Sequence, residues 1–336
     1  MYFFMGKSVL LFPASYYSGV VHMDEILKEA AGSFGFGLKS FIRHKTSFLL
    51  DTNKGALLLK KQPEIKAAEA LYKTSDTLHN AGFSNAERYL TAKGKPYLEF
   101  RDGIYTLSAI GEGAKCNLSN MEDAAAVAAT LAKLHNAAEG LDFSYIRYSK
   151  SVFASEYSKR ISEARRNKKW VDGRSRMSDI DVLFIKKYGE YMDAALSAND
   201  QIAEYLGSAK LCLCVDEIKE ENLYTDSMKT VTLVNLENCA LSASCIEVCK
   251  LIRRFVKRGG SIAAIPEIIG AYGSERKLAE SDIVFMKAFL SFPQKFFVII
   301  NSYYSSKRNH MGSQALSRLK AEAAAHDRIC ASLKTI

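Results

Sequence analysis

The chain has 336 residues, of which 48% are hydrophobic and 25% charged, a balance that is ordinary for a soluble globular protein. Its net charge of +9 favours an anionic ligand or partner, but the basic residues are dispersed and no nucleic-acid-binding motif accompanies them. We therefore expect no specific nucleic-acid binding. The most apolar stretch, residues 283–300, is broken by Lys287, Pro293 and Lys295, which predicts a pair of buried helices and no membrane span.

The seven cysteines predict reduced, mostly buried thiols, because their number is odd and no basic segment precedes the apolar start of the chain. For the same reason we expect cytoplasmic synthesis without secretion, with residues 1–17 forming a packed N-terminal strand. Cys212 and Cys214 alternate along a predicted strand. We expect no metal site there, since no histidine lies near these thiols in sequence and Cys-x-x-Cys spacing is absent.

The first part of the chain has the pattern of a small antiparallel sheet. A helical stretch over residues 23–37 is followed by apolar runs at residues 38–42, 46–50 and 56–59. The segment Thr52-Asn53-Lys54-Gly55 between the second and third runs is typical of a hairpin turn. The three runs therefore predict a three-stranded antiparallel meander.

A helix and two further strands are predicted to follow the meander. Pro63 suits the first turn of a helix over residues 64–81, which Gly82 would end. The strands are predicted around residues 87–92 and 104–110.

The composition changes at residues 111–113, where we place a boundary between a β-rich unit of residues 1–111 and a helical unit of residues 112–336. Ser119 and Glu122 form a predicted capping box before the first helix of the second unit. Further helical patterns occupy residues 151–207 and return from residue 245 to the end of the chain.

The segment at residues 211–238 interrupts these helices with a predicted β-hairpin. Antiparallel pairing would bring Asn222, which enters the first strand, close to Asn235 and Glu237, which leave the second. Asp216 and Glu217 precede Asn222 on the incoming loop. In a phosphotransferase, such positions hold a base for the acceptor hydroxyl and two ligands for magnesium.

The sequence LCLCVDEIKEEN (211–222) resembles the catalytic segment of the aminoglycoside phosphotransferase and choline kinase-like superfamily, in which a His-Gly-Asp type triplet precedes Asn. FPQKFFVIINSYYSSKR (292–308) is similar to a C-terminal signature of the CotS family of spore coat proteins, and residues 103–135 resemble that family's hinge and first large-lobe helix. The resemblance implies an α+β, two-lobed protein kinase-like fold, with a small β-rich N-terminal lobe and a larger helical C-terminal lobe.

The resemblance also implies roles for individual residues. The family's catalytic Asp falls on Glu217, the small or polar residue before it on Asp216, and its catalytic His on Val215. Asn222 matches the metal-binding Asn. The magnesium-binding Asp falls on Asn235.

Four further positions follow from the same resemblance. The second acid of the magnesium site falls on Glu237, and the helix acid that steadies the catalytic loop falls on Glu247. The phosphate-contacting lysine falls on Lys60, with Lys61 as the alternative, and its partner acid on Glu69.

The departures from the family pattern argue against ordinary ATP-driven catalysis. Magnesium prefers anionic oxygen, but both inner ligand positions, Asn222 and Asn235, carry neutral amides. Glu217 is one methylene longer than Asp, and a misplacement of about 1 Å costs on the order of 100-fold in rate. The turn at residues 43–46 lacks a glycine for close approach to phosphates. We therefore expect ATP and magnesium to bind weakly or not at all.

Three functions stay open from the sequence. The leading one is a pseudokinase-like structural or interaction component of the spore coat, with other coat proteins as partners; the coat assignment comes from the resemblance alone. The alternative is an active small-molecule phosphotransferase in which Glu217 or Asp216 orients the acceptor hydroxyl. The third is a binder of an anion, such as a nucleotide, or of a nucleic acid, which would exploit the net charge of +9.

A purely structural interpretation of the same residues also stays open. Residues 216–222 would then be a solvated acidic loop, Lys60 a surface lysine, and Asn222 and Asn235 caps of the hairpin.

Overall fold

The computed structural model describes residues 25–44, 47–110, 113–305 and 312–333, so the strand predicted for residues 1–17 lies outside the described residues. The chain divides into two units. Residues 1–72 and 88–111 form the first, and residues 73–87 and 112–336 form the second.

The first unit is built on a six-stranded antiparallel sheet. Its strands are β1 (Leu38–His44), β2 (Ser47–Thr52), β3 (Gly55–Gln62), β4 (Arg88–Tyr89), β5 (Leu98–Phe100) and β6 (Gly103–Ala109). The order is β1-β2-β3-β6-β4, and β5 also pairs with β6. The pairings of β2 with β1 and β3 confirm the predicted meander.

One face of this sheet packs against helix α1, residues 25–34. Alternation along β3 puts Leu57 and Leu59 on that face, where they join Ile26 and Ala30 of α1 in one buried cluster. Helix α2 (Ile65–Asn80) begins two residues after Pro63, and Gly82 follows it at a φ of 86°, as the sequence predicts.

The second unit is mainly helical. Its helices are α3 (Met121–Ala137), α4 (Ala154–Asp172), α5 (Asp179–Ser208), α6 (Ser244–Lys257), α7 (Ile265–Glu275), α8 (Glu280–Ser291), α9 (Gln294–Ser305) and α10 (Gly312–Ser332). Its short strands are β7 (Ala114–Lys115), β8 (Cys212–Cys214), β9 (Leu223–Thr225), β10 (Val231–Leu233) and β11 (Ala240–Ser242). The result is a small β-sheet lobe followed by a larger helical lobe, as expected.

Strands β9 and β10 form the predicted hairpin, and β7 extends it on the β9 side. Gly113 precedes β7 at a φ of 150°, and a Cβ atom there would lie 2.5 Å from the carbonyl oxygen of Thr225. Glycine is therefore required for β7 to approach β9.

The capping box predicted at Ser119 and Glu122 is wrong. The N-cap of α3 is Asn120, whose Oδ1 accepts the backbone N–H of Asp123 at 3.0 Å. The hydroxyl of Ser119 donates instead to Oδ1 of Asn117.

By length and hydropathy, the segment Glu280–Ser305 would suffice to cross a membrane, but 56% of its most apolar window is buried inside the protein. Phe292 and Pro293 divide it into α8 and α9, which confirms the predicted helix pair. Arg253 of α6 donates to the carbonyl oxygens of Phe289 and Phe292, satisfying backbone groups at the end of α8.

Helix α6 positions the polar groups of the candidate site. Its apolar residues, among them Val248, Leu251, Ile252, Phe255 and Val256, are all buried, as the sequence predicts. This amphipathic packing fixes the rotation of the helix and directs Glu247 and Lys250 toward the loop that follows β8.

Candidate functional site

The loop after β8 begins with a tight turn at Asp216. Strand β8 pairs with β11 and is followed by the buried Val215, whose carbonyl oxygen accepts the N–H of Glu217 at 2.8 Å. Asp216 has a φ of 63°, in the left-handed region that Asp tolerates better than most residues. The resemblance places a small or polar residue here, which agrees with this backbone conformation.

The carboxylate of Asp216 is held by three side chains. It accepts hydrogen bonds from Oγ of Ser149 at 2.7 Å and from Arg147 at 3.3 Å, and it forms an ion pair with Lys250. Burial raises the pKa of Asp216, but Lys250 and the other donors outweigh it, so the pKa lies below its usual value. Asp216 therefore stays ionised and anchors the loop.

The acid of α6 joins this loop to α3. Oε1 of Glu247 accepts the backbone N–H of Asp216 at 2.9 Å, and Oε2 lies 2.8 Å from Nε2 of His135. The hydroxyl of Tyr272 lies 2.8 Å from Nδ1 of the same histidine. His135 and Glu247 are both buried, so these hydrogen bonds satisfy polar groups that water does not reach.

Glu217 is an accessible acid of the loop. Its side chain is 42% exposed and pairs with Lys219, while its carbonyl oxygen accepts Nδ2 of Asn222 at 3.1 Å. Of the two acids at the predicted base position, Glu217 is therefore the one available to a ligand, because the carboxylate of Asp216 is occupied by its three donors.

The two candidate metal-binding amides lie in contact, as the hairpin geometry predicts. Nδ2 of Asn235 donates to Oδ1 of Asn222 at 2.8 Å, and Asn222 is only 3% exposed. Asn235 has a φ of 63° and leads into a short 3₁₀ turn, Leu236–Asn238, that carries Glu237. The oxygen that Asn222 would offer to a metal ion therefore already accepts a hydrogen bond from its neighbour.

The segment before β4 braces the hairpin within the second unit. The N–H of Glu87 donates to the carbonyl oxygen of Leu233 at 2.8 Å, and its carboxylate accepts the N–H of Leu236 at 2.8 Å. Nδ2 of Asn85 donates to the carbonyl oxygen of Val231 at 2.9 Å. Glu87 is fully buried, so it fixes the backbone on which Asn235 and Glu237 lie.

A second brace joins the loop to α6. The carboxylate of Glu220 is bound by Arg254 at 2.7 Å and by Arg258 at 2.6 Å. Burial raises the pKa of Glu220, but the two guanidinium groups outweigh this effect and lower it to about 2. Ion pairs and hydrogen bonds therefore hold residues 216–222 in place, so this segment is not a freely solvated acidic loop.

The remaining predicted residues belong to the first unit. Lys60 lies in β3, opposite Ser47 of β2 and Thr106 of β6. Nζ of Lys61, on the opposite face of the strand, lies 3.0 Å from Asp102. This ion pair holds Lys61 on that face, and the choice between Lys60 and Lys61 for a phosphate contact stays a prediction from the resemblance.

Glu69 is exposed on α2. Among the described residues, no ion pair joins it to Lys60. The pairing of the lysine with this acid therefore stays a prediction from the resemblance.

Sequence reasoning missed several residues of this site. Arg147 and Ser149 lie 69 and 67 positions before Asp216, and no pattern in the sequence links them to it. Lys250 could have been found, because it follows Glu247 by three positions and so lies on the same face of a predicted helix.

No protein-family model matches the chain, and no curated protein sequence is significantly similar to it. Solved structures do resemble it. An aminoglycoside phosphotransferase from Alicyclobacillus acidocaldarius superposes with a TM-score of 0.75 at 17% identity, over 91% of this chain and 94% of that one. The chain has the fold of the aminoglycoside phosphotransferases and choline kinases.

Two further solved structures share this fold. The AMP-bound spectinomycin phosphotransferase APH(9)-Ia gives a TM-score of 0.62 at 9% identity, over 90% of this chain and 97% of that one. The choline kinase LicA from Streptococcus pneumoniae gives 0.53 at 12% identity, over 91% and 99%. At such identities the likeness shows the fold, and the chemistry has to be argued from the residues of this chain.

Proposed function

We propose that this protein is a kinase-fold protein with a degenerate active site, which binds a nucleotide weakly and acts mainly as a structural or interaction component. The observation that carries this proposal is the direct hydrogen bond between the amides of Asn222 and Asn235. The resemblance to the CotS family suggests the spore coat as its location and other coat proteins as its partners.

The amide pair weakens magnesium binding for two reasons. Magnesium sheds its water reluctantly and is usually held by one or two carboxylates, whereas both inner positions here are neutral. Oδ1 of Asn222 would also have to give up the hydrogen bond from Asn235 before it could contact an ion. Of the three residues that the resemblance assigns to magnesium, Glu237 is then the one acid. Nucleotide phosphates would have to supply the remaining negative charge.

Nucleotide binding itself is supported by the fold and by Lys60. Spectinomycin phosphotransferase, which shares the fold, binds AMP and ADP. The resemblance assigns the phosphate contact to Lys60, which lies on the strand face away from Asp102. Because the two inner metal ligands are neutral amides, the affinity for ATP should depend little on magnesium.

The test is a thermal-shift titration with ATP and ADP, with and without magnesium, on the wild type and on Asn235→Asp. We expect a small nucleotide-induced rise in the melting temperature of the wild type that magnesium does not enlarge. The variant restores a carboxylate, so magnesium should enlarge its shift. Asn238→Asp, which adds the same charge at the end of the same turn, is the control and should behave as the wild type.

The proposed degeneracy would be overturned if magnesium raised the melting temperature of the nucleotide-bound wild type as much as that of Asn235→Asp. The absence of any shift with millimolar nucleotide would remove nucleotide binding and leave the structural role alone.

One observation favours the alternative, an active small-molecule phosphotransferase. The carboxylate of Glu217, to which the resemblance assigns the catalytic base, is 42% exposed, and the backbone carbonyl oxygen of Glu217 accepts a hydrogen bond from Asn222. Phosphoryl transfer from labelled ATP to aminoglycosides, choline or other alcohols would establish this activity. In that case Glu217→Gln should lower the turnover rate by at least about 100-fold, while Glu221→Gln, on the same loop and exposed, should not.

A further inference from the structure

Three potential metal ligands meet between α3 and β8. Because side chains alternate along a strand, Cys212 and Cys214 lie on one face of β8, with their Sγ atoms 3.9 Å apart. Nε2 of His135, near the end of α3, lies 3.4 Å from Sγ of Cys214. All three ligand atoms lie within 4.8 Å of one another, and we call them the thiol–imidazole cluster.

Two separations within this cluster are close to those of tetrahedral coordination, and the third, between Cys212 and His135, is at most 4.8 Å. With zinc–sulfur bonds of about 2.3 Å and a zinc–nitrogen bond of about 2.0–2.1 Å, tetrahedral geometry requires separations of about 3.8 Å between two sulfurs and about 3.6 Å between sulfur and nitrogen. The measured separations are 3.9 and 3.4 Å. We propose that Cys212, Cys214 and His135 bind a thiophilic divalent cation of the zinc type.

The surroundings of His135 are suited to this role. A metal-binding histidine is usually oriented by a hydrogen bond to its other ring nitrogen, and here Nδ1 lies 2.8 Å from the hydroxyl of Tyr272. Oε2 of Glu247 lies 2.8 Å from Nε2 and is the candidate for the fourth donor. On binding, the ion takes the place of the proton between these two atoms. The neutral imidazole then carries its one proton on Nδ1, toward the hydroxyl of Tyr272, and the thiols lose their protons to solvent.

An ion also has a route to the cluster. Cys214 and His135 are buried, but Cys212 is partly exposed. The partly exposed thiol of Cys212 is therefore the point at which an ion can reach the cluster from solvent.

The same contacts connect the cluster to the loop after β8. Glu247 reaches His135 with one carboxylate oxygen and the N–H of Asp216 with the other. A bound ion would therefore hold Glu247 and stabilise the tight turn at Asp216. The inference is independent of the proposed function, because no residue assigned to nucleotide, magnesium or acceptor belongs to the cluster.

The experiment uses the full-length, reduced and chelator-treated protein, titrated with Co²⁺ and then Zn²⁺. We expect a thiolate-to-cobalt charge-transfer band and the intense d–d bands of tetrahedral coordination, both abolished by one equivalent of Zn²⁺. Cys212→Ser and Cys214→Ser should each weaken binding at least tenfold. Elemental analysis of the zinc-loaded protein should give one zinc ion per chain.

Cys330→Ser is the matched control. Sγ of Cys330 also lies 3.4 Å from a histidine nitrogen, Nε2 of His326, but within the described part of the chain no third ligating group joins this pair. Its removal should leave the cobalt bands unchanged. A wild-type protein without the charge-transfer band, or bands that survive both Cys212→Ser and Cys214→Ser, would overturn the proposal.

Stability provides a second readout that does not depend on the folding of a variant. Zinc at a hundredfold excess over its dissociation constant should raise the melting temperature of the wild type by about 5 °C, and a chelator should reverse the rise. An unchanged melting temperature at saturating zinc would contradict a site within the folded core.

Discussion

At the scale of single residues, the spacing of Glu217, Asn222 and Asn235 in the sequence indicated a hairpin site, and the structure joins them through two amide hydrogen bonds. Their partners were not predictable. Asp216 meets Arg147 and Ser149 through a contact between segments about 70 positions apart, which depends on tertiary packing and leaves no local pattern. His135 illustrates the same limit. No histidine lies near the paired thiols in sequence, but the fold brings one to them in space from α3.

We predict that Asp216→Asn destabilises the protein by about 2 kcal/mol, because it leaves the partly buried ammonium group of Lys250 without its carboxylate. Denaturant unfolding followed by circular dichroism measures the loss. In a double-mutant cycle with Lys250→Met, the two substitutions should be less than additive by about 1 kcal/mol. Strictly additive losses would show that the two side chains do not interact.

His326 should make folding stability dependent on pH. It is 7% exposed in α10, and burial lowers its pKa to about 4, an effect that Arg253 reinforces and Asp327 opposes. The unfolded chain binds this proton below about pH 6.5 but the folded chain only below about 4, so stability falls as the pH drops through this window. The full loss is about 3 kcal/mol.

The measurement is the free energy of unfolding of the wild type and of His326→Gln between pH 7.5 and 4. The variant lacks the titrating group and should lose less stability over this range. His79→Gln is a control, because that side chain lies on α2 and bonds only locally, to Ser75. Parallel pH curves for the wild type and His326→Gln would contradict the prediction.

At the scale of elements, amphipathic periodicity predicted the buried face of a helix correctly, but local sequence did not predict the cap of α3. The apolar pattern of α6 predicted its buried face, and that packing then directs Glu247 and Lys250. The start of α3 offered several residues capable of capping. The choice among them depends on the path of the preceding chain, which the hydrogen bond from the N–H of Cys116 to Leu223 fixes in the folded protein.

This correction predicts two different outcomes for neighbouring substitutions. Asn120→Ala should cost about 1 kcal/mol, because it removes the acceptor for the N–H of Asp123. Ser119→Ala, at the residue that the sequence favoured as the cap, should change stability by no more than about 0.5 kcal/mol. Thermal and urea unfolding of the two variants compare them directly. Equal losses would show that both residues share the capping role.

At the scale of the whole molecule, the order of a β-rich unit and a helical unit followed from the composition of the sequence. The grouping of residues 73–87 did not, because it depends on long-range contacts. Asn85 bonds to Val231, and Glu87 bonds to Leu233 and Leu236, so these residues belong with the hairpin that carries the candidate site. No local pattern indicates that the second half of α2 and the residues after it group with the hairpin.

Native-state hydrogen exchange can test this grouping in the intact chain. Leu59→Ala removes a fully buried side chain from the core between α1 and the sheet, and should cost the first unit about 3 kcal/mol. Exchange should then become faster in β1, β2, β3 and β6. Peptides covering residues 73–87 should keep the protection of the helical unit, because Asn85 and Glu87 tie the segment by hydrogen bonds to β10 and the turn after it.

The converse substitution is Leu131→Ala in α3, which also removes a fully buried side chain, but in the second unit. Residues 73–87 should then exchange faster together with the hairpin, while β1, β2 and β3 stay protected. If exchange in residues 73–87 instead becomes faster together with β1, β2 and β3 in Leu59→Ala, Glu87 does not tie this segment to the hairpin. Asn235 and Glu237 would then hold their positions without the brace from Glu87.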